Sequence, residues 1–529
     1  MAALKGGGLV IADPDRALAW VVSANLASVR QISLKPGDEP GRVVESADGH
    51  VYVVLRRADQ LAELDLAEGT VRRLETCHLP RGLAVREGKL VVACLSGELE
   101  TLDPATGART PVVTNTGFSD LRDVVVDGDA LLVTEFRSGA LRSIAADGVV
   151  TTLAATPTTG FTPHVAWRAV PRPSGGALVV RQQHRSSQLP APTACVPYYG
   201  PQQSGSFGGG SGSTGGVVRS EALTISGSTA VVTPLGGAQS VVLPVDVAVS
   251  PSGRVAVISA GTGAVVLLQL GGRLDVPLVE HGVDRQLTSV VFSGETAFIF
   301  AREPAQLLAV SPEGMVSQTV NLGGSSVAST GHELFHRGTS AGLACASCHP
   351  EAGEDGHVWP FAEGLRRTPT LRGGLGGTQP YHWSGEMPRM NELLQSVMSA
   401  RMNGPSLSDA RIASVEQWLT AQPALPGPKV DGAAAARGRS IFESQAAACS
   451  SCHAGPQGTN NATLAVGTGA PFQVPRLAEL AWRGPWLHDG RMHSFEARFD
   501  ASSGGEAHGH VAQLTVAERT DLLEYLKTR

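Results

Sequence analysis

The stretch RGLAVREGKLVVACLSGELETLD, Arg81–Asp103, decides the fold of the larger part of this chain. It reads as an alternating apolar strand, a turn marked by Gly88, a second apolar strand and a short polar return. The same unit recurs as LVIADPDRALAWVVSANLASVRQISL from Leu9, RVVESADGHVYVVLRRADQLAELDL from Arg42 and RDVVVDGDALLVTEFRSGALRSI from Arg122. A longer copy starts near His164, and further copies start near Val245 and Ser289. The period is roughly 40 residues, the length of a propeller blade. About seven such units predict an all-β seven-bladed propeller over residues 1–326. The 63 glycines of the 529-residue chain agree with many short strands joined by turns.

The fifth unit is interrupted by SSQLPAPTACVPYYGPQQSGSFGGGSGSTGG, residues 186–216, which holds Tyr198 and Tyr199. Two readings stand: a surface loop, or a lid or docking loop facing the C-terminal half. Cys77 and Cys94 sit at the start and in the second strand of the third unit. They form a disulfide if the compartment is oxidising, or remain two buried thiols. With the disulfide formed, Cys195 is left unpaired.

The chain is too long for one hydrophobic core. A net charge of −6 with 17% charged residues excludes the basic surplus of a nucleic-acid binder. No apolar run is long enough to span a membrane. Ten of the 15 histidines lie beyond residue 330, as do all but one of the methionines after Met1. Histidine and methionine are the usual neutral side-chain ligands of haem iron, so the second part of the chain reads as metal-bearing.

Two motifs give that half its chemistry. Cys345-Ala-Ser-Cys348-His349 and Cys449-Ser-Ser-Cys452-His453 are both CxxCH. Two cysteines one helical turn apart can form thioethers to the two vinyl groups of a haem, and the histidine after them reaches the iron from the same side. A four-cysteine zinc ribbon wants its pairs about 15–20 residues apart, far closer than these. A thioredoxin-like CxxC does not need a histidine at that position twice. The motifs therefore predict two covalently bound haem c groups, with His349 and His453 on the irons. Attachment of c-type haem takes place outside the cytoplasm, so a periplasmic or otherwise extracytoplasmic location is expected. Met1–Gly8 lacks the apolar stretch of a secretory signal, and the expectation is that one has been trimmed.

The surroundings of the two motifs are alike. Gly331-His-Glu-Leu-Phe335 and Gly438-Arg-Ser-Ile-Phe442 each precede a motif by about ten residues and read as a short helix. Each block closes on another helix: DARIASVEQWLTA from Asp409, with Ser408 as N-cap, and VAERTDLLEYL from Val516, with Thr515 and Glu518 as a capping box. A Pro-rich linker, Pro423–Lys429, separates them. Two α-helical cytochrome c domains are predicted, 327–427 and 428–529.

Residues 329–529 resemble the bacterial di-haem cytochrome c peroxidase and MauG family. The resemblance rests on the two motifs in this order and on four segments. These are Arg366-Arg-Thr-Pro-Thr370, Tyr381-His-Trp-Ser-Gly385, Val474-Pro-Arg-Leu477 and Pro485-Trp-Leu-His-Asp-Gly490. The N-terminal part resembles the YVTN-type propellers fused to such modules, on repeat pattern. The resemblance implies an electron-delivering haem in the second domain and a peroxide-handling haem in the first. It implies a tryptophan between them that assists electron transfer, here Trp383, whose plainer reading is a core residue. A redox protein as donor or acceptor, and peroxide or a protein substrate, are the implied partners.

The chain departs from the family at the first haem. Trp359 stands where the distal histidine is expected, with His357 close by but out of register. Arg367 replaces an asparagine that helps hold an interdomain calcium, so calcium is doubtful. Arg401-Met402 replaces the distal glutamate–methionine pair. Arg401 can polarise a peroxide bond but cannot act as a base. The sixth position of the first iron is Met402, open, or His357. That of the second is His508, with His510 and Met492 as rivals, while His488 reads as a structural or propionate-side hydrogen bonder. Two functions follow: a peroxidase-like or MauG-like oxidoreductase, with Arg401 and Trp383 as catalytic residues and the propeller as docking scaffold, or a non-enzymatic di-haem electron carrier with a partner-binding propeller.

Overall fold

The computed structural model describes residues 1–114, 117–153, 158–189, 216–235, 241–269, 276–280 and 286–529. Cys195, Tyr198, Tyr199 and most of the 186–216 insertion lie outside the described residues.

Seven four-stranded antiparallel sheets follow one another along the first part of the chain, each paired in chain order. The unit around Arg81 forms one of them: Pro80–Arg86, Lys89–Cys94, Leu99–Leu102 and Arg109–Pro111. Arg86 pairs with Lys89, so Glu87 and Gly88 alone make the turn. Both have positive φ, 52° and 76°, as the tight primed hairpin turn requires. Lys89–Cys94 is buried along nearly its whole length because blades pack on both of its faces. Leu90, Val92 and Cys94 join a core with Tyr52, Val54 and Leu61 of the blade before, and Val91 and Ala93 join one with Leu121, Val124 and Leu131 of the blade after. Alternation here sorts residues between two neighbours rather than between core and water.

This part is a seven-bladed all-β propeller. The expected starts at Arg42, Arg81, Arg122, His164, Val245 and Ser289 each fall in the first strand of a blade. Leu9 begins a second strand, because the two residues Ala2–Ala3 already form the first. First strands pack side by side from blade to blade, and Ala2–Ala3 reaches Leu287–Ser293 of the last blade. Among these inner strands Arg42 donates two hydrogen bonds to Asp123 (2.7 and 2.9 Å), and Arg168 bridges Asp123 (3.0 Å) and Asp246 (3.1 Å). Gly82 is required there, since a Cβ would lie 2.8 Å from the Asp123 Cα. The ring closes through side chains: Arg302 holds Asp15 at 2.7 and 2.9 Å, and Arg16 holds Glu303 at 3.0 Å. The disulfide between Cys77 and Cys94 is formed, with Cα atoms 6.0 Å apart.

The chain divides into two compact units. One is the propeller, Met1–His184 and Val218–Ala328 with His336–Gly338. The other, the C-terminal unit, comprises Arg185–Val217, Ser329–Phe335 and Thr339–Arg529. The expected boundary at 427/428 therefore falls inside one unit. The reason is dense hydrogen bonding across it: Asn461 Nδ2 to Gly377 O (2.7 Å), Gln457 Nε2 to Gly376 O (2.8 Å) and Arg476 to Gly374 O (3.0 Å) and Thr370 O (2.8 Å).

The C-terminal unit is less helical than expected. Its α-helices among the described residues are α1 (Thr330–His336, whose last residue clusters with the propeller), α2 (Cys345–Cys348), α3 (Met390–Leu394), α4 (Asp409–Thr420), α5 (Gly432–Glu443) and α6 (Val516–Lys527). Loops, short 3₁₀ turns and two small hairpins fill the rest. No helix among the described residues is long and apolar enough to cross a membrane.

The two halves of this unit share one plan. Gly331 of α1 lies against α4, where a Cβ would come 2.2 Å from Ser414 O; Gly438 of α5 lies against α6, where a Cβ would come 1.9 Å from Asp521 O. Phe335 then packs on Trp418 (4.8 Å between centroids) and Phe442 on Tyr525 (5.1 Å). Each half also has a turn entered by a cis proline, Pro380 or Pro485, and closed by a bridge, Tyr381 with Met387 or Trp486 with Met492. The capping box of α6 is present, with Thr515 Oγ1 accepting from Glu518 N. Ser408 occupies the N-cap of α4 without a side-chain cap bond.

Candidate cofactor centres

Both CxxCH histidines are held alike. His349 Nδ1 lies 3.2 Å from Gly353 O and His453 Nδ1 lies 3.0 Å from Gly458 O. Each ring also meets a second backbone carbonyl in the same relative place, Pro369 for His349 and Pro475 for His453. Burial pushes both imidazoles down, so each is neutral at pH 7, the ligating form. Burial also pushes the Cys345 thiol up to about 11 and raises the Cys348 thiol well above its ordinary value. Such thiols are the opposite of activated redox cysteines. Among the described residues neither cysteine pair belongs to a cluster of three metal-binding donors.

A cavity of about 340 Å³ opens over the first motif, within the size range of cofactor pockets. Cys345, Cys348 and His349 line it, with apolar walls from Leu343, Leu375, Leu394 and Val415. Trp359, Trp383, Arg401 and Met402 line it as well. Trp359, in the place of a distal histidine, is fixed by a hydrogen bond from Nε1 to Thr368 Oγ1 (2.9 Å). Gln395–Arg401 is wound as a π-helix, a distortion common at functional sites. It delivers Arg401 to the cavity with Met402 immediately after it. The Arg401 guanidinium lies 5.8 Å from the Phe361 ring centre, and its buried Nε–H has no hydrogen-bond acceptor among the described residues.

His357 is corrected as a candidate ligand. It is not on the cavity wall, and its Nε2 lies 3.0 Å from Arg185 O. The cavity contains instead a pair that the sequence did not single out, although His382 lies in the Tyr381–Gly385 segment. His382 Nδ1 meets Glu386 Oε1 at 2.6 Å, and Ser384 Oγ donates to the other carboxylate oxygen. Burial alone would raise the Glu386 carboxyl; the hydrogen bonds from His382 and Ser384 override it and hold the group down at about 2. The i, i+4 spacing of the pair is a further signal, but it falls in a turn rather than a helix.

At the second motif the His453 and His508 rings lie with centroids 6.3 Å apart and planes inclined at 48°. His508 Nδ1 is tied to Ser503 O (2.9 Å), and burial with Arg498 nearby lowers its pKa to about 4. His510 instead pairs with Glu506 at 3.5 Å on the exposed surface, and Met492 is buried, its backbone bridged to Trp486. His488 stacks on Phe472, centroids 3.9 Å apart.

Between the halves, Trp383 Nε1 donates to Arg367 O (2.7 Å), and the Trp383 ring meets His488 edge-on at 6.3 Å. Arg367, at the doubtful calcium position, buries its guanidinium against the Glu354 carboxylate.

The donor set suits an iron porphyrin at each motif. Two thiols and a neutral imidazole stand together at each, the first beside an apolar cavity whose wall carries five arginines, Arg366, Arg367, Arg401, Arg476 and Arg483, against two carboxylates, Glu363 and Glu386. That is the lining for a flat apolar group bearing carboxylates.

No protein-family model and no curated protein matches the sequence. Solved structures similar to it include virginiamycin B lyase from Staphylococcus aureus, at 13% identity and a TM-score of 0.44, over 57% of this chain and 90% of that one. Kuenenia stuttgartiensis hydrazine synthase is similar at 15% identity and a TM-score of 0.42, over 59% of this chain and 97% of that one. These likenesses carry no inference about activity.

Proposed function

We propose that the chain is a di-haem c-type cytochrome oxidoreductase of the peroxidase or MauG kind. On this reading haem c is attached at Cys345/Cys348 and at Cys449/Cys452, in two cytochrome c domains that share one compact unit. The observation that carries the proposal is the matched seating of His349 and His453, each tied through Nδ1 to a backbone carbonyl beside its cysteine pair. When bound, the haems supply one-electron redox chemistry. The protein divides the work by what stands opposite each histidine. His508 lies near His453 and would close the second site as an electron-storing centre. At the first site Arg401 places a positive charge in the cavity, where it can polarise a peroxide bond. His382, oriented by Glu386, supplies the proton-exchanging group that Arg401 cannot be. Trp383 stands at the seam, in contact with both halves. The location would be periplasmic or otherwise extracytoplasmic, and the propeller would dock a redox partner.

Spectroscopy of the oxidised and reduced protein tests this. A fraction of high-spin haem, together with binding of cyanide or carbon monoxide, is expected. Two wholly low-spin haems that bind neither ligand would remove the peroxidase reading. The second reading, an electron carrier, is favoured by one observation: Met402 lies on the wall of the first cavity and is a candidate to close it.

A further inference from the structure

Six ionisable side chains meet inside the C-terminal unit at the seam between its halves. Glu354, Arg367 and Arg372 come from the first half; Arg476, Glu479 and Arg483 come from the second. Arg367 pairs with Glu354, and Arg483 Nε lies 3.7 Å from the other Glu354 oxygen. Arg372 Nε lies 3.1 Å from Glu479. Arg476 spends its hydrogen bonds on carbonyls, Gly374 O at 3.0 Å and Thr370 O at 2.8 Å. Within this group of six, four guanidinium groups thus face two carboxylates, two positive charges more than negative.

The excess is buried. Arg483 is 5% exposed and Arg476 7%. An uncompensated charge in such a place is costly, and a counter-anion is the ordinary remedy. Two further signs agree. The Arg483 Nε–H is buried with no hydrogen-bond acceptor among the described residues. Burial and then the neighbouring Arg483 bring the Arg476 pKa down to about 10, in spite of Glu479 and Glu354.

The cluster also has a direction. Arg367, Arg476 and Arg483 all line the cavity that holds Cys345, Cys348 and His349. We propose that this arginine cluster is the carboxylate-binding end of the first haem site, its two excess positive charges receiving the two propionate carboxylates of the haem attached at Cys345 and Cys348. The inference rests on the di-haem reading and deepens it. It makes residues of the second half part of the first haem's binding site.

The test uses the full-length protein produced with a haem-attachment system. Haem staining of the denatured wild type comes first: a chain without covalent haem overturns the di-haem reading and this inference with it. In haem-loaded protein, Arg476→Gln and Arg483→Gln each remove one positive charge. Each is expected to make the first haem harder to reduce, by about tenfold or more in its reduction equilibrium, with a smaller change at the second. The midpoint of each variant should also become pH-dependent between about pH 5 and 8, rising as pH falls, because a poorly compensated propionate takes up a proton there. Arg483→Lys keeps the charge and should stay within about twofold of wild type. Loaded glutamine variants with unchanged potentials and pH profiles overturn the inference and leave the di-haem reading standing. So does a wild-type potential that follows added chloride or phosphate to saturation, which would make the anion a free ion. Should the glutamine variants not fold, infrared spectra of wild type carrying haem labelled at the propionate carbons decide. Ionised carboxylate down to about pH 5 is expected, and a protonated acid band at pH 7 overturns the inference.

Discussion

Trp383 and His488 occupy equivalent places in the two cis-proline turns of the C-terminal unit, and their rings meet edge to face with centroids 6.3 Å apart. The backbone around them is reciprocal: Arg367 N donates to His488 O at 2.6 Å, and Gln473 N donates to Trp383 O at 2.7 Å. Each turn is thus held by the segment that precedes the other turn. Trp383→Phe keeps the ring and loses the Nε1 hydrogen bond to Arg367 O. It should cost about 1–3 kcal/mol in denaturant unfolding, the penalty of an unsatisfied buried carbonyl. On the proposed function it should also slow electron exchange between the haems, read by rapid-mixing reduction. Exchange at the wild-type rate would make Trp383 a packing residue only.

His508 near His453 should behave as a ligand. His508→Ala is expected to convert one of the two haems to a high-spin or ligand-accepting form, seen in the absorption spectrum. His510→Ala should leave both spectra as they are, because His510 faces Glu506 at the surface.

Met402 decides between enzyme and carrier. If it closes the first iron, Met402→Ala opens that site to cyanide or carbon monoxide, where wild type binds neither. If both haem spectra are unchanged by the substitution, Met402 is a wall residue and the first site is open already.

The helix pairs set the stability of the C-terminal unit. Gly438→Ala would place a Cβ 1.9 Å from Asp521 O, so α5 and α6 must separate. A loss of about 1–3 kcal/mol is expected in urea unfolding, the usual cost of overpacking. Gly331→Ala should cost a similar amount at α1 and α4. Gly432→Ala, where a Cβ meets nothing within 4 Å, is the control.

Cys77→Ser should raise the free-thiol count of the denatured, unreduced protein by one, through the released Cys94. It should also lower propeller stability by about 3 kcal/mol, the scale for a loop of this size. A thiol count that falls by one instead would mean that the disulfide does not form.

The blade pattern around Arg81 is enough to place six of the seven blade starts, because a strand sandwiched between neighbours must be apolar on alternating and then on both faces. The helices at Gly331, Asp409, Gly438 and Val516 follow from caps and spacing. The loops between them are not legible in the sequence: they follow tertiary hydrogen bonds, not propensity. The first cavity shows the same limit. His357 is a reasonable candidate by position, yet its ring is spent on Arg185 O, while His382 and Glu386 meet only because a turn folds them together.

By itself the sequence determined the repeating strands of the propeller and the two Cys-X-X-Cys-His motifs, because both are local: alternation and one helical turn of spacing are written in consecutive residues. Only the tertiary structure decided that the C-terminal halves fuse into one unit. It alone brought His508 to His453 and gathered Arg367, Arg476 and Arg483 at one cavity. Those relations join residues far apart in the chain, and they depend on which buried polar groups find partners when the halves close.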